Sequence, residues 1–294
     1  MKRNKYTILY VVALIVFATI SCSKEGSYSL TETPPLDFKS YYNGLTVTFA
    51  NQTKTASGIT WNFGDNTAEA TGDSVVHQFT STGNYLISMT GIIDGESDVM
   101  HTVLRVDKPS VVSLTDDSFA DWDGVTYPDF QLEGTDHMIG GKVDYDANYV
   151  YIFIEYSTAG TDGLAALDGA IMDLYMDTDN SLSTGFSSAL GADMLFEGNI
   201  PTEWFDFYSF LGTDQSQWSW NDPISIDNAI VMGHAEEATD VVRMEFGLSR
   251  DALKISKDVF NFQLVLNYSD WSAEAGSLSK NNDTRIEMQM NKQK

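Results

Sequence analysis

"NYVYIFIEY", residues 148–156, decides the fold class of most of this chain. Successive side chains of an extended segment point to opposite faces, so Tyr149, Tyr151 and Phe153 share one side and Val150, Ile152 and Ile154 the other. Both sides are apolar, which predicts a strand in the middle of a sandwich. Working outward, "AIMDLYMD" (170–177), "VVRMEFGLS" (241–249), "FNFQLVLNY" (260–268) and "TRIEMQM" (284–290) are further strands. The last is half exposed, with Arg285, Glu287 and Gln289 alternating against Ile286, Met288 and Met290. Only "SRDALKIS" (249–256) and "PTEWFDFYSF" (201–210) admit a helical turn. Residues 113–291 therefore read as one all-β unit, an antiparallel sandwich of jelly-roll type.

Towards the N-terminus the runs shorten. Leu45, Val47 and Phe49, then Ile59, Trp61 and Phe63, then Tyr85, Ile87 and Met89 alternate between Gly, Asn and Asp turns, which indicates a small antiparallel sandwich over residues 36–107. "WNFGDNT" (61–67) and "HQFTSTGNYLISMT" (77–90) resemble the PKD domain, an immunoglobulin-like sandwich. Trp61, Phe63, Gly64, Asp65, His77, Phe79, Gly83 and Tyr85 carry that resemblance. It implies structural roles for all of them and a spacer role for the domain. "DKPSVV" (107–112) reads as the linker to the second unit.

The chain has 294 residues, 42 of them acidic against 17 basic, for a formal charge of -25. Such a surface repels phosphate backbones and anionic head groups, so nucleic acid is not an expected partner. Lys2, Arg3 and Lys5 precede a short apolar run from Ile8 to Ala18, and "TISCS" follows with the single cysteine, Cys22. This is similar to a bacterial lipoprotein signal (residues 1–21), with Cys22 as the acylated N-terminus; a plain secretory signal with an incidental cysteine is the alternative. Thr19 replaces the usual Leu, and Ser23 after the cysteine implies the outer membrane, with cell-surface exposure an expectation and attachment by the N-terminal lipid alone. Residues 22–35, polar and ending in two prolines, read as a flexible tether. Loss of residues 1–21 would remove three of the 17 basic residues, leaving 42 against 14, a net charge of -28, and no cysteine beyond Cys22.

In the second unit, "DDSFADWDGV" (116–125), "KVDYDANYVYIFIEY" (142–156), "DLYMDTDNSLSTGF" (173–186) and "GADMLFEG" (191–198) resemble the family 9 carbohydrate-binding module and its relatives. "DTDNSLSTG" spaces Asp177, Asp179 and Ser181 as hard oxygen donors suited to Ca²⁺. Leu182 and Ser188 stand where an EF-hand needs Gly and Glu, which excludes a helix-loop-helix site. The resemblance implies a structural Ca²⁺ with Asp193 closing its shell; an acidic turn capping a strand is the alternative. No organic cofactor is expected.

Catalytic signatures are missing: there is no G-x-S-x-G, no H-E-x-x-H and no mature cysteine nucleophile, and His77, His101, His137 and His234 are scattered. A non-enzyme is expected. Residues 201–220 hold seven aromatics and no Lys or Arg. Flat rings stack on the C–H faces of sugars while carboxylates and amides take the hydroxyls. Trp204, Trp218, Trp220 and Trp271, with Tyr208, Asp206 and Gln217, are the candidate glycan ligands; a plug of buried aromatics over the core is the competing account. The parts together resemble a surface glycan-binding lipoprotein of a starch-utilisation-type system, which implies an outer-membrane transporter and its lidding lipoprotein as partners. Two other functions stay open: a structural or adhesive lipoprotein that binds protein, and a haem or redox domain using His137 or His234 with a Met.

Overall fold

The computed structural model describes residues 36–126, 130–160, 164 and 169–290. The expected signal, Cys22 and the tether lie outside the described residues. Among the described residues no helix is long and apolar enough to cross a membrane.

The first sandwich contains β1 (Phe38–Asn43), β2 (Thr46–Asn51), β3 (Ser57–Asn62), β4 (Ala70–Thr71), β5 (Ser74–Gln78), β6 (Gly83–Ile93) and β7 (Glu96–Val106). They form two sheets, β1-β2-β5 and β4-β3-β6-β7. Val47, Phe49, Trp61, Phe79, Ile87 and Met89 fill the space between them and are fully buried. Trp61 meets Phe38 edge-on at 5.2 Å and donates its Nε1–H to the Gly72 carbonyl at 2.8 Å, so its one polar atom is satisfied inside the core. Gly64 turns the chain at φ +71°, where a Cβ would come within 2.6 Å of the Leu86 carbonyl oxygen. His77 stacks on Phe63 at 3.8 Å and places Nε2 2.7 Å from an Asp65 oxygen. Trp61, Phe63, Gly64, Asp65 and His77 of the motif are thereby engaged inside the sandwich.

The second sandwich contains β8 (Gln131–Gly134), β9 (Met138–Tyr145), β10 (Tyr149–Ser157), β11 (Ala170–Asp177), β12 (Met194–Asn199), β13 (Trp204–Ser209), β14 (Ile230–Ala238), β15 (Val241–Ser249), β16 (Val259–Tyr268), β17 (Glu274–Ser279) and β18 (Ile286–Gln289). All ladders are antiparallel, in the order β13-β12-β11-β16-β17-β8-β9-β10-β15-β14, with β18 on β16. The ribbon folds on itself at β17, which pairs with β16 through Ser277 and then with β8 through Leu278 and Ser279. Val143, Ile152 and Phe246 from one layer and Leu174, Phe196 and Leu264 from the other share one core. The second apolar side of β10 is covered by the entry segment: Phe153 packs on Phe119 at 5.2 Å and on Trp122 at 5.8 Å.

One local expectation changes. Trp204–Ser209 is an edge strand, not a helical turn, because Phe205 and Phe207 alternate into the core and the period of two prevails. The segment after β7 is tied by side chains to the second sandwich. Asp107 accepts from Arg105 Nε and from Arg250 Nη1, both at 2.9 Å, and Arg105 crosses to Asp258 at 2.7 Å and to the Ser256 carbonyl at 2.8 Å. Lys108 and Ser110 both bond the buried Asp144. Burying these ions is costly unless each is paired, and the pairing spans both sandwiches.

Candidate functional site

The layer β13-β12-β11-β16-β17 turns one face to the core and the other outward. Register places Asp206, Glu197, Asp173, Val265 and Ser277 across the outer face in one row. The next row is Tyr208, Leu195, Tyr175 and Gln263, and the other neighbouring row includes Ile171, Asn267 and Glu274. Ile171, Leu195 and Val265 are buried yet stand apart from the core cluster, so they form an apolar floor under this face. Four ladder steps at ~4.8 Å make the face about 19 Å wide, enough for several sugar rings.

Aromatics rim it. Trp204, 58 % exposed, opens β13 opposite Asn199. Gly198 permits this edge: at φ +150° it lies so close to β13 that a Cβ would come within 2.2 Å of the Trp204 carbonyl oxygen. Asn199 fixes the turn between β12 and β13, donating to the Ala170 carbonyl at 2.8 Å and accepting from Thr202 N at 2.9 Å. Trp271, 48 % exposed, occupies the β16–β17 turn at φ +58°, a left-handed conformation strained for an aromatic residue. It lies in the turn that joins Asn267 to its ladder partner Glu274.

The other end of the face carries a cluster built from three segments. Trp218, 60 % exposed, meets Phe186 at 5.4 Å, Trp220 at 5.8 Å and Tyr175 at 6.5 Å. Trp220 is half-buried, edge-on to Phe210 at 5.4 Å, with a buried Nε1–H that has no hydrogen-bond partner. Gln215 ties this loop down by donating to the Thr184 carbonyl at 2.8 Å and to the Leu182 carbonyl at 3.2 Å. Gln217 is exposed beside it.

The five strands of this layer contain no Lys or Arg. Asp173 is only 7 % exposed; its Oδ2 accepts from Asn267 Nδ2 at 3.0 Å and from the Tyr175 hydroxyl at 3.5 Å, and its Oδ1 is buried without a partner. Burial first, and then the charge of Glu197, push the Asp173 carboxyl up to about 7. Burial raises Glu197 as well, with Asp206 adding to it, and Tyr208 and Tyr175 are raised by burial and by these carboxylates.

Beyond β11 the acidic turn brings oxygens of Asp177, Asp179 and Asp193 within 4.8 Å of one another. Asp177 is buried, accepts from Ser181 N at 3.0 Å and pairs with Arg285 at 3.1 Å. Asp193 accepts from the Thr178 hydroxyl at 2.8 Å, and the Ser181 hydroxyl pairs with Ser183 at 2.9 Å. Burial raises both Asp177 and Asp193, and each is raised further by Asp179. Asp177 and Asp179 at the end of β11 and Asp193 just before β12 offer converging hard oxygens of the kind a divalent cation takes.

A family model for the PKD domain matches residues 39–103. Residues 39–103 are a PKD domain. Solved structures similar to the chain include the PKD1 domain of Vibrio anguillarum Epp, 22 % identical over 25 % of this chain and 93 % of that one, TM-score 0.23. The PKD1 domain of the Vibrio cholerae metalloprotease PrtV is 26 % identical over 25 % of this chain and 95 % of that one, TM-score 0.23. A carbohydrate-binding module of the β-sandwich superfamily is 14 % identical over 73 % of this chain and 90 % of that one, TM-score 0.23. No curated protein matches the chain. The PKD domain ends where the Arg105–Asp107–Arg250 joint begins.

Of the residues singled out from sequence, Trp204, Asp206 and Tyr208 share the outer side of β13, while Trp218 and Trp220 belong to the cluster with Tyr175. Sequence reading missed Asp173, Tyr175, Phe186, Glu197, Asn267 and Glu274. In "AIMDLYMD" the alternation of Asp173 and Tyr175 with Met172, Leu174 and Met176 was a usable signal: two polar-capable residues on the second side of a strand whose first side is wholly apolar. Of the two histidines considered for haem, His234 is engaged with Asp117 at 2.6 Å and His137 lies 3.2 Å from the Ser157 carbonyl oxygen.

Proposed function

We propose that the protein binds polysaccharide or oligosaccharide without cleaving it, on the outer face of β13-β12-β11-β16-β17. The observation that carries this reading is the exposure of three indoles, Trp204, Trp271 and Trp218, on the strands and turns of a layer whose outer side also carries Asp173, Glu197, Asp206 and Asn267. Large apolar surfaces seldom stay exposed without a partner, and indole faces beside hydrogen-bonding groups suit sugar rings. In this reading Cys22 carries the lipid that anchors the protein at the outer membrane, the PKD domain is the spacer, and the bound glycan is presented to a transporter and its lidding lipoprotein for uptake. Asp177, Asp179 and Asp193 would hold a Ca²⁺ ion, which would supply the positive charge that lets these carboxylates stay close and so steady the loop carrying Phe186.

Affinity electrophoresis in native gels cast with glucans, xylans or mannans tests the reading. Retardation by at least one polysaccharide, reduced in Trp204→Ala, is the expected result. A folded protein that migrates unretarded in all of them rules the proposal out.

A further inference from the structure

A cleft of about 1110 Å³ opens between the PKD domain and the second sandwich, and none of the residues lining it belongs to β13-β12-β11-β16-β17. Its size is that of small-molecule sites, which form preferentially at domain boundaries. Three tyrosines line it, Tyr41 and Tyr42 from β1 and Tyr149 from the start of β10. Tyr41 is 56 % exposed, a large ring that the fold leaves uncovered. Burial raises the Tyr42 phenol, and Asp251 and Arg250 of the second sandwich act on it in opposite senses, so this side chain lies close to the facing domain. Asn84 and Asn148 add one amide from each sandwich. The charges of the lining cancel. Arg105, Arg250 and Lys257 stand there with Asp251 and Asp258, and Asp107 pairs with both arginines, which makes three cations against three anions. In a chain with 42 acidic and 17 basic residues this balance is a local exception, and it favours a ligand without net charge.

We propose that this cleft is a second carbohydrate site, which takes an uncharged oligosaccharide segment between the two domains, with Tyr41 and Tyr149 against its rings and Asn84, Asn148 and Asp251 on its hydroxyls. The inference rests on the glycan-binding reading above and adds a place where binding occurs. Phenol rings offer the flat apolar face on which the C–H side of a pyranose packs. Amides donate to and accept from sugar hydroxyls, and a carboxylate accepts from them. A charged sugar would lose hydration on entry and meet ions that are already matched. Two sites on one chain that engage one polymer hold it more firmly than either alone.

Native gels cast with glucans, xylans or mannans, run with the full chain, test this. Tyr41→Ala/Asp251→Ala, both at exposed positions, should keep the thermal midpoint of the parent and weaken retention by at least about tenfold through lost avidity. Asn84→Ala, also exposed, should weaken it in the same direction and serves as the second variant. Trp204→Ala/Trp271→Ala should remain measurably retarded, and the combination of these two substitutions with Tyr41→Ala/Asp251→Ala should not be retarded. Cleft variants that migrate like the parent, or a Trp204→Ala/Trp271→Ala protein that is already unretarded, overturn the second site while the glycan reading stands. Retention lost with the cleft substitutions and untouched by the indole substitutions keeps the cleft and overturns the outer sheet face. A folded parent that none of the polysaccharides retards removes both.

Discussion

Asp173 stands directly opposite Glu197 across the β11–β12 ladder, on the face of the sheet turned away from the core. Like charges directly opposed in a sheet are destabilising, and burial of Asp173 deepens the cost. The folded-state carboxyl is raised to about 7 from an ordinary value of 3.8, so between those limits the folded protein binds the proton and the unfolded chain has already released it. Stability should therefore fall as pH rises from about 4 to about 7, by up to ~1.4 kcal/mol per pH unit from this group. Urea melts across that range should show the decline, and Asp173→Asn should flatten it. A decline of equal slope in the variant would assign it to other groups.

Trp204→Ala and Trp271→Ala should each weaken glycan binding by more than about 1 kcal/mol, the cost expected of an exposed ring that becomes covered in the complex. Both side chains project from the core, so thermal midpoints should stay near that of the parent. Titration with a retained polysaccharide, beside a melt of each variant, separates lost contact from lost fold.

Trp271 offers a sharper version, because its backbone is left-handed. Glycine adopts φ +58° without the steric penalty, so Trp271→Gly should match or exceed the parent in thermal stability while losing affinity. A loss of stability in that variant would mean that the indole packs as structure and not as a ligand platform.

Chelator should lower the thermal midpoint of the parent, and added Ca²⁺ should restore it. Asp193→Asn removes one of the three converging carboxylates and should make the midpoint insensitive to both. Parent curves that coincide with and without chelator would dispose of the metal.

The joint between the sandwiches makes its own prediction. Asp107→Ala leaves Arg250 buried with its main counter-ion gone and should destabilise the protein by about 3 kcal/mol. Arg105→Ala cuts the links to Asp258 and Ser256 and should separate one calorimetric transition into two, as each sandwich melts at its own temperature.

The fold was legible wherever one strand carried its own evidence. Alternation in "NYVYIFIEY" needs no partner to be read, and Trp61, Phe63, Gly64 and His77 identify the first sandwich because a tight turn and a packed aromatic leave local marks. The acidic turn was visible for the same reason, its carboxylates being close in sequence. Asp173 and Glu197 were not, since they meet only through ladder register across 24 positions, and one-dimensional spacing holds no register. Trp122 shows the same limit: its indole N–H bonds the fully buried Glu245, more than 100 positions away. The linker is a different case. Its composition, with Lys108 and Pro109, is that of a surface connection, and its bonds to Asp144, Arg250 and Asp258 lie far away in sequence.

The linked ions Arg105, Asp107, Arg250 and Asp258 also have a mechanical meaning. On the glycan-binding reading, tension on a sugar chain held at β13 would enter the second sandwich and pass through these paired charges into β7. The indole face would then meet a polymer at an angle that these ion pairs help to set.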